Sequence, residues 1–177
     1  MSATRARAAN KSAKKKVAAK KCEDCEKKKK CDAKLPEDPT TRKVALTIFA
    51  EAGATSSAAE FEAVASVMHN RVGQRDFGNA KDLDGVLSKT YYDRRSGTRM
   101  YEFHGYQNGR YKAGESGDLS PGDCEALKKA IAAAESVAKN GVPAAYKGYT
   151  FFAAANAVSD QSRGTVIGKT IFGSKQF

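Results

Sequence analysis

The chain has 177 residues, of which 41% are hydrophobic, enough for one ordinary domain with a tail and too little for two. Its net charge of +11 would point to nucleic acid if it covered a folded surface, but the charge is localised. Residues 1–34 hold 13 Lys and Arg against 4 acidic residues, whereas residues 35–177 hold 18 against 16.

No run approaches the roughly 20 apolar residues that a membrane span needs, so none is expected. The basic N-terminus is not followed by the apolar stretch of a secretory signal, so passage out of the cytoplasm is expected to depend on another carrier. Residues 1–38 read as a basic, Cys- and Lys-rich tail or linker, in which residues 1–34 offer no face to bury and Leu35-Pro36-Glu37-Asp38-Pro39 marks the boundary. Cys22, Cys25 and Cys31 form a C-x2-C-x5-C pattern, and Cys124 stands far from them. Zinc ligation, disulfides and free thiols all remain open for these four.

The folded domain is expected over residues 39–177. Asp38 and Pro39 open a helix that Gly53 closes. Val44, Ile48 and Glu51 fall on one face of it, with Ala45, Phe49 and Ala52 on the adjacent stripe. Ser57-Ala58-Ala59-Glu60 reads as a capping box for a second helix, buried through Phe61, Val64, Ala65, Met68 and Val72. Residues 75–117 read as irregular and hold five of the seven tyrosines, the kind of segment that often carries a binding surface. Ser120-Pro121 starts a third helix that ends at Asn140-Gly141. Residues 146–152 are expected to be extended, and residues 165–172 are a second short apolar piece. The fold class is therefore α+β, mainly helical, with a small β element.

Glu51 is the residue with chemical promise. A carboxyl on an apolar helix face loses hydration, which raises its pKa and keeps it protonated where a glycosidic bond needs a proton donor. The plainer alternative is a buried Glu paired with Arg71 or Arg42.

The surrounding sequence bears on that choice. Thr47-Ile48-Phe49-Ala50-Glu51-Ala52-Gly53, then residues 63–72 ending in Asn70-Arg71-Val72, resembles the SleB-like cell-wall hydrolases, which include spore-cortex-lytic enzymes. The resemblance resumes at Gly148-Tyr149-Thr150-Phe151-Phe152 and at Ile167-Gly168-Lys169-Thr170-Ile171-Phe172, and so spans about residues 42–173. It implies a lysozyme-like fold and cleavage of the β-1,4 bond between N-acetylmuramic acid and N-acetylglucosamine. It also implies that Glu51 acts as the acid of a lytic transglycosylase. The loop from Gly53 to Ser57 lacks the second acidic residue frequent in that family. If a second carboxylate activates water, making the enzyme a muramidase, Glu60 is the first candidate, with Glu102 and Asp93 behind it. Glu60 has its capping role as the alternative.

Tyr101, Phe103, Tyr106 and Gln107 are the best candidates to hold saccharide, through aromatic faces and amide pairing. Phe151, Phe152 and Asn156 are candidates for the same groove, with core packing as the alternative for the two phenylalanines. His104 reads as a polar surface residue, and Asn70 and Arg71 as braces for the helix end. Peptidoglycan is the expected partner, with no metal, no cofactor and no specific nucleic acid. The expected setting is a monomeric antibacterial effector or phage lysin that acts in the periplasm or wall of a target cell. A larger delivery protein and an immunity protein are its expected associates. The rival reading is a non-catalytic wall-binding or nucleic-acid-binding module that uses the basic tail.

Overall fold

The computed structural model of the chain describes residues 30–176. Its frame is three helices, α1 (Pro39–Glu51), α2 (Ala58–Arg71) and α5 (Pro121–Asn140), with α5 packed against the other two. Each starts where a side chain accepts an orphan amide of the first turn. Asp38 accepts from Thr41, Ser57 from Glu60 and Ser120 from Asp123. Along α1, six consecutive residues from Val44 to Phe49 are buried, so the helix is covered on every side. The polar members of the core are satisfied locally: Thr47 Oγ donates to the Lys43 carbonyl and Ser66 Oγ to that of Glu62.

The segment expected to be irregular is largely ordered. It holds a 3-10 turn (Arg75–Phe77), helix α3 (Leu83–Ser88), an antiparallel hairpin of β1 (Thr90–Asp93) and β2 (Thr98–Tyr101), and helix α4 (Gly109–Ser116). Asp82 and Asn108 cap the two helices through the amides of Gly85 and Tyr111. These caps and the hairpin turn order the segment together with Val86, Leu87, Phe103, Tyr106 and Tyr111, which enter the core.

Beyond α5, residues 144–146 form a 3-10 turn, and the expected strand begins only at Phe151. β3 (Phe151–Ala154), β4 (Thr165–Ile167) and β5 (Thr170–Gly173) make a three-stranded antiparallel sheet in the order β3-β5-β4. The architecture is α+β and mainly helical. Among the described residues no helix is long and apolar enough to cross a membrane.

The body starts earlier than Pro39. Cys31 is disulfide-bonded to Cys124 of α5, with Cα atoms 5.4 Å apart, and its amide donates to the Gly117 carbonyl at 3.0 Å. Ala33 and Leu35 pack on the core, and Pro36 is buried. Residues 31–38, which sequence assigns to the tail, thus lie on the folded surface because a covalent bond and apolar contacts hold them there. Cys31, Asp32 and Cys124 also cluster, but two sulfurs bonded to each other are not thiolate ligands, so the zinc alternative fails for that pair. Cys22 and Cys25 lie outside the described residues.

Candidate active site

Glu51 is the last residue of α1, where Ala52 turns the chain into extended backbone. Its side chain is half-buried, and its Oε1 accepts a hydrogen bond of 2.5 Å from the Gly105 amide. That amide belongs to the loop between β2 and α4, which approaches α1 so closely that only glycine fits. A Cβ at position 105 would lie 2.7 Å from the Thr47 carbonyl oxygen, 2.8 Å from the Glu51 nitrogen and 2.9 Å from Glu51 Cγ. The loop is held in shape by its own turn. Tyr106 donates to the Phe103 carbonyl, Gln107 takes a left-handed φ of 57°, and Asn108 caps α4.

The electrostatics oppose one another. Burial pushes the Glu51 carboxyl above its ordinary value of 4.5, while the Gly105 amide and the charges of His104 and Arg71 pull it back. Burial wins, and the net shift is upward.

Arg71 is 7% exposed at the end of α2. Its Nε donates to the Thr150 carbonyl at 2.7 Å, and its guanidinium lies 4.3 Å from the ring centre of Phe77 and 4.7 Å from that of Phe103. It pairs with Glu102 at 3.5 Å rather than with Glu51, and Lys89 holds the other oxygen of Glu102 at 2.9 Å. Beside it, Asn70 Nδ2 donates to the carbonyls of Tyr146 and Tyr149, both at 2.9 Å. Asn70 and Arg71 therefore tie the end of α2 to the chain that enters β3.

The residues named from sequence are not all placed alike. Glu60 is 2% exposed, and its Oε1 accepts from Thr170 Oγ at 2.5 Å. Gly168 lies so close that a Cβ there would stand 2.5 Å from Glu60 Oε2. The reciprocal half of the capping box is thus replaced by a link to the β4–β5 turn, and Glu60 is sealed beneath that turn. A neighbouring link, Lys169 Nζ to Thr55 Oγ at 3.0 Å, ties the same turn to the loop after Glu51.

Among the saccharide candidates, Phe103 is 1% exposed and packs against Phe152, which itself meets Phe172. Tyr106 is 9% exposed, held edge-on between Tyr101 and Tyr111. Phe103 and Tyr106 are core residues that shape the loop, leaving little surface for a sugar. Tyr101 and Gln107 remain accessible and touch through Tyr101 OH and Gln107 Oε1 at 3.5 Å. Phe151 is half-buried near Arg71 and Phe77, while Asn156 is exposed after β3.

The structure adds a pair that sequence missed. Tyr91 OH lies 3.0 Å from His104 Nε2, both side chains are exposed, and His104 directly precedes the Gly105 amide that holds Glu51. Tyr91 and His104 stand 13 residues apart with no shared pattern, so only the hairpin register brings them together. Comparison with protein-family models, with curated proteins and with solved structures returns no match.

Proposed function

We propose that the chain is a peptidoglycan glycosidase of lysozyme-like fold that cleaves the β-1,4 bond between N-acetylmuramic acid and N-acetylglucosamine. The observation that carries this reading is Glu51 itself: a half-buried carboxyl with a raised pKa, fixed through one oxygen by the Gly105 amide. Its Oε2 takes no hydrogen bond from the described residues, so that oxygen can carry and deliver a proton. The sequence likeness around Glu51 and Asn70-Arg71-Val72 supports the same conclusion.

A single carboxyl does both proton steps in this mechanism. Protonated Glu51 gives its proton to the glycosidic oxygen as the bond to the muramic anomeric carbon breaks. The Glu51 carboxylate then takes the proton of the muramic 6-hydroxyl, whose oxygen closes on that carbon to leave a 1,6-anhydro end. The acid is regenerated and no water is consumed. The transglycosylase outcome is favoured over the muramidase one because the rival carboxylates have other work. Glu60 is bound to Thr170, Glu102 to Arg71 and Lys89, and Asp93 to the turn of the hairpin.

The Cys31–Cys124 disulfide suits an oxidising destination such as a periplasm or cell wall. An effector or phage lysin made in the cytoplasm and carried there by a larger delivery system fits this chemistry, with an immunity protein covering the Glu51 carboxyl. Mass spectrometry of muropeptides released from purified sacculi tests the core of the reading. Anhydro-muramic ends from wild type and none from Glu51→Gln are expected. Reducing ends favour a muramidase, and no release from either protein removes the enzyme reading.

A further inference from the structure

The net positive charge of the body is concentrated in one place. The β1–β2 hairpin, residues 90–101, carries Arg94, Arg95 and Arg99 against the single acid Asp93. The remainder of residues 35–177 holds 15 basic and 15 acidic residues, so the hairpin accounts for the whole excess. Among the described residues Asp93 forms no ion pair with its neighbours. It is spent on the turn, where Oδ1 accepts from the Arg95 amide at 3.0 Å and Oδ2 from Ser96 Oγ at 2.8 Å. Among the described residues none of the three guanidiniums forms an ion pair, and all three are exposed.

The hairpin also presents aromatic surface. Tyr92 is 62% exposed and stands opposite Arg99 in the register, while Tyr91 is 40% exposed on the other face and reaches His104. At ~3.4 Å per residue, the tip stands about 10 Å beyond the base of the hairpin, which adjoins the loop holding Glu51. An arm of this kind, with cations at its end and tyrosines along it, is positioned to meet what projects from a glycan strand lying at its base. The projecting groups of peptidoglycan are its peptide stems, which bear free carboxylates.

We propose that the β1–β2 hairpin is a recognition arm for the anionic peptide stems of peptidoglycan, with Arg94, Arg95 and Arg99 pairing with stem carboxylates. This inference rests on the peptidoglycan reading of the Glu51 site and adds substrate selection to it: strands with intact stems are preferred over stripped glycan.

The test is co-sedimentation of the full chain carrying Glu51→Gln, which does not consume its ligand. It is run with and without Arg94→Ser, Arg95→Ser and Arg99→Ser, on sacculi freed of attached anionic polymers. A parallel set uses chitin, an insoluble β-1,4-linked N-acetylglucosamine polymer that bears no peptide stems. The basic tail is present in every sample, so the difference between the two proteins isolates the arm. The protein without the three hairpin arginines should bind stem-bearing sacculi about tenfold more weakly, the sum expected of three exposed charge contacts, and chitin equally well. The deficit should shrink as salt rises. Equal binding of both proteins to stem-bearing sacculi overturns the proposal, as does an equal loss on sacculi and on chitin, which would place the contacts on the glycan. Matching thermal midpoints establish that the exposed substitutions leave the fold intact. If the arm selects stems while wild type releases no muropeptide, the catalytic reading fails and stem recognition stands. If neither protein binds sacculi, the arm proposal falls, and muropeptide release by wild type alone decides the catalytic reading.

Discussion

The two sides of the candidate site are built on different principles. On one side, α1 with α2 and α5 forms an apolar frame in which consecutive residues of α1 are buried and the acid sits at the helix end. On the other, the hairpin has no fully buried residue, and the loop through Gly105 sets Phe103 and Tyr106 in the core and is otherwise shaped by turn hydrogen bonds and one tight backbone approach. The frame desolvates the carboxyl and raises its pKa, while the polar side holds one of its oxygens and meets solvent. Changes on the frame should therefore register as stability, and changes on the loop as activity.

The sharpest test of that division is Glu51→Gln, which keeps shape and removes the acid. Muropeptide release should fall by about a thousandfold, the usual contribution of a positioned general acid, with the fold retained. A collapse of the fold instead would make Glu51 part of the frame alone. On the frame itself, Phe61→Ala removes a fully buried ring and should cost about 3–5 kcal/mol in denaturant unfolding, with activity per folded molecule preserved.

Gly105→Ala probes the opposite side. The added methyl meets backbone atoms of α1 and must push the loop away, so release should drop by about a hundredfold through misplacement of Glu51. A stability loss of only about 1–3 kcal/mol should accompany it. If Gly105→Ala and Phe61→Ala lose stability and activity in the same proportion, the division between the two sides is wrong.

The smallest effect concerns pH. Because the Glu51 pKa is raised in the folded state, folding binds more protons than unfolding near and above pH 4.5, and the native state loses stability as pH rises through that window. Glu51→Gln removes this loss. Its melting temperature should exceed that of wild type near neutral pH and match it well below pH 4.5. A gap that is constant with pH would detach the effect from ionisation.

Sequence and structure agree best on the frame. α1, α2 and α5 were readable because apolar residues recur at helical spacing between capping residues such as Asp38, Ser57 and Ser120. The hairpin was not, since both of its faces are exposed and Tyr91 to Met100 show no apolar alternation to mark a strand. α4 was hidden for a similar reason: Gly109 and Gly114 lower helix propensity, and Asn108 was the one clear start signal. At the site, Glu51 stood out because its helix was legible. Its hydrogen-bond partner Gly105 looked like any loop glycine until the approach of two distant segments was seen. Phe103 and Tyr106 look like saccharide contacts in the sequence because a cluster of aromatics gives no sign of which way each ring points. The Cys31–Cys124 pairing was one of several that four cysteines allow.

That covalent link sets a load path through the molecule. A pull applied between the two ends of the chain passes from Cys31 straight into Cys124 and travels on through the rest of α5. Everything between those cysteines, including Glu51, the hairpin arm and Gly105, lies on a closed ring and carries no tension. The β3–β5–β4 sheet lies outside the ring and would be stripped first, taking with it the turn that covers Glu60. For the same reason, a protease cut at the exposed hairpin tip opens the ring without releasing a fragment, so the nicked protein keeps its mass until the disulfide is reduced.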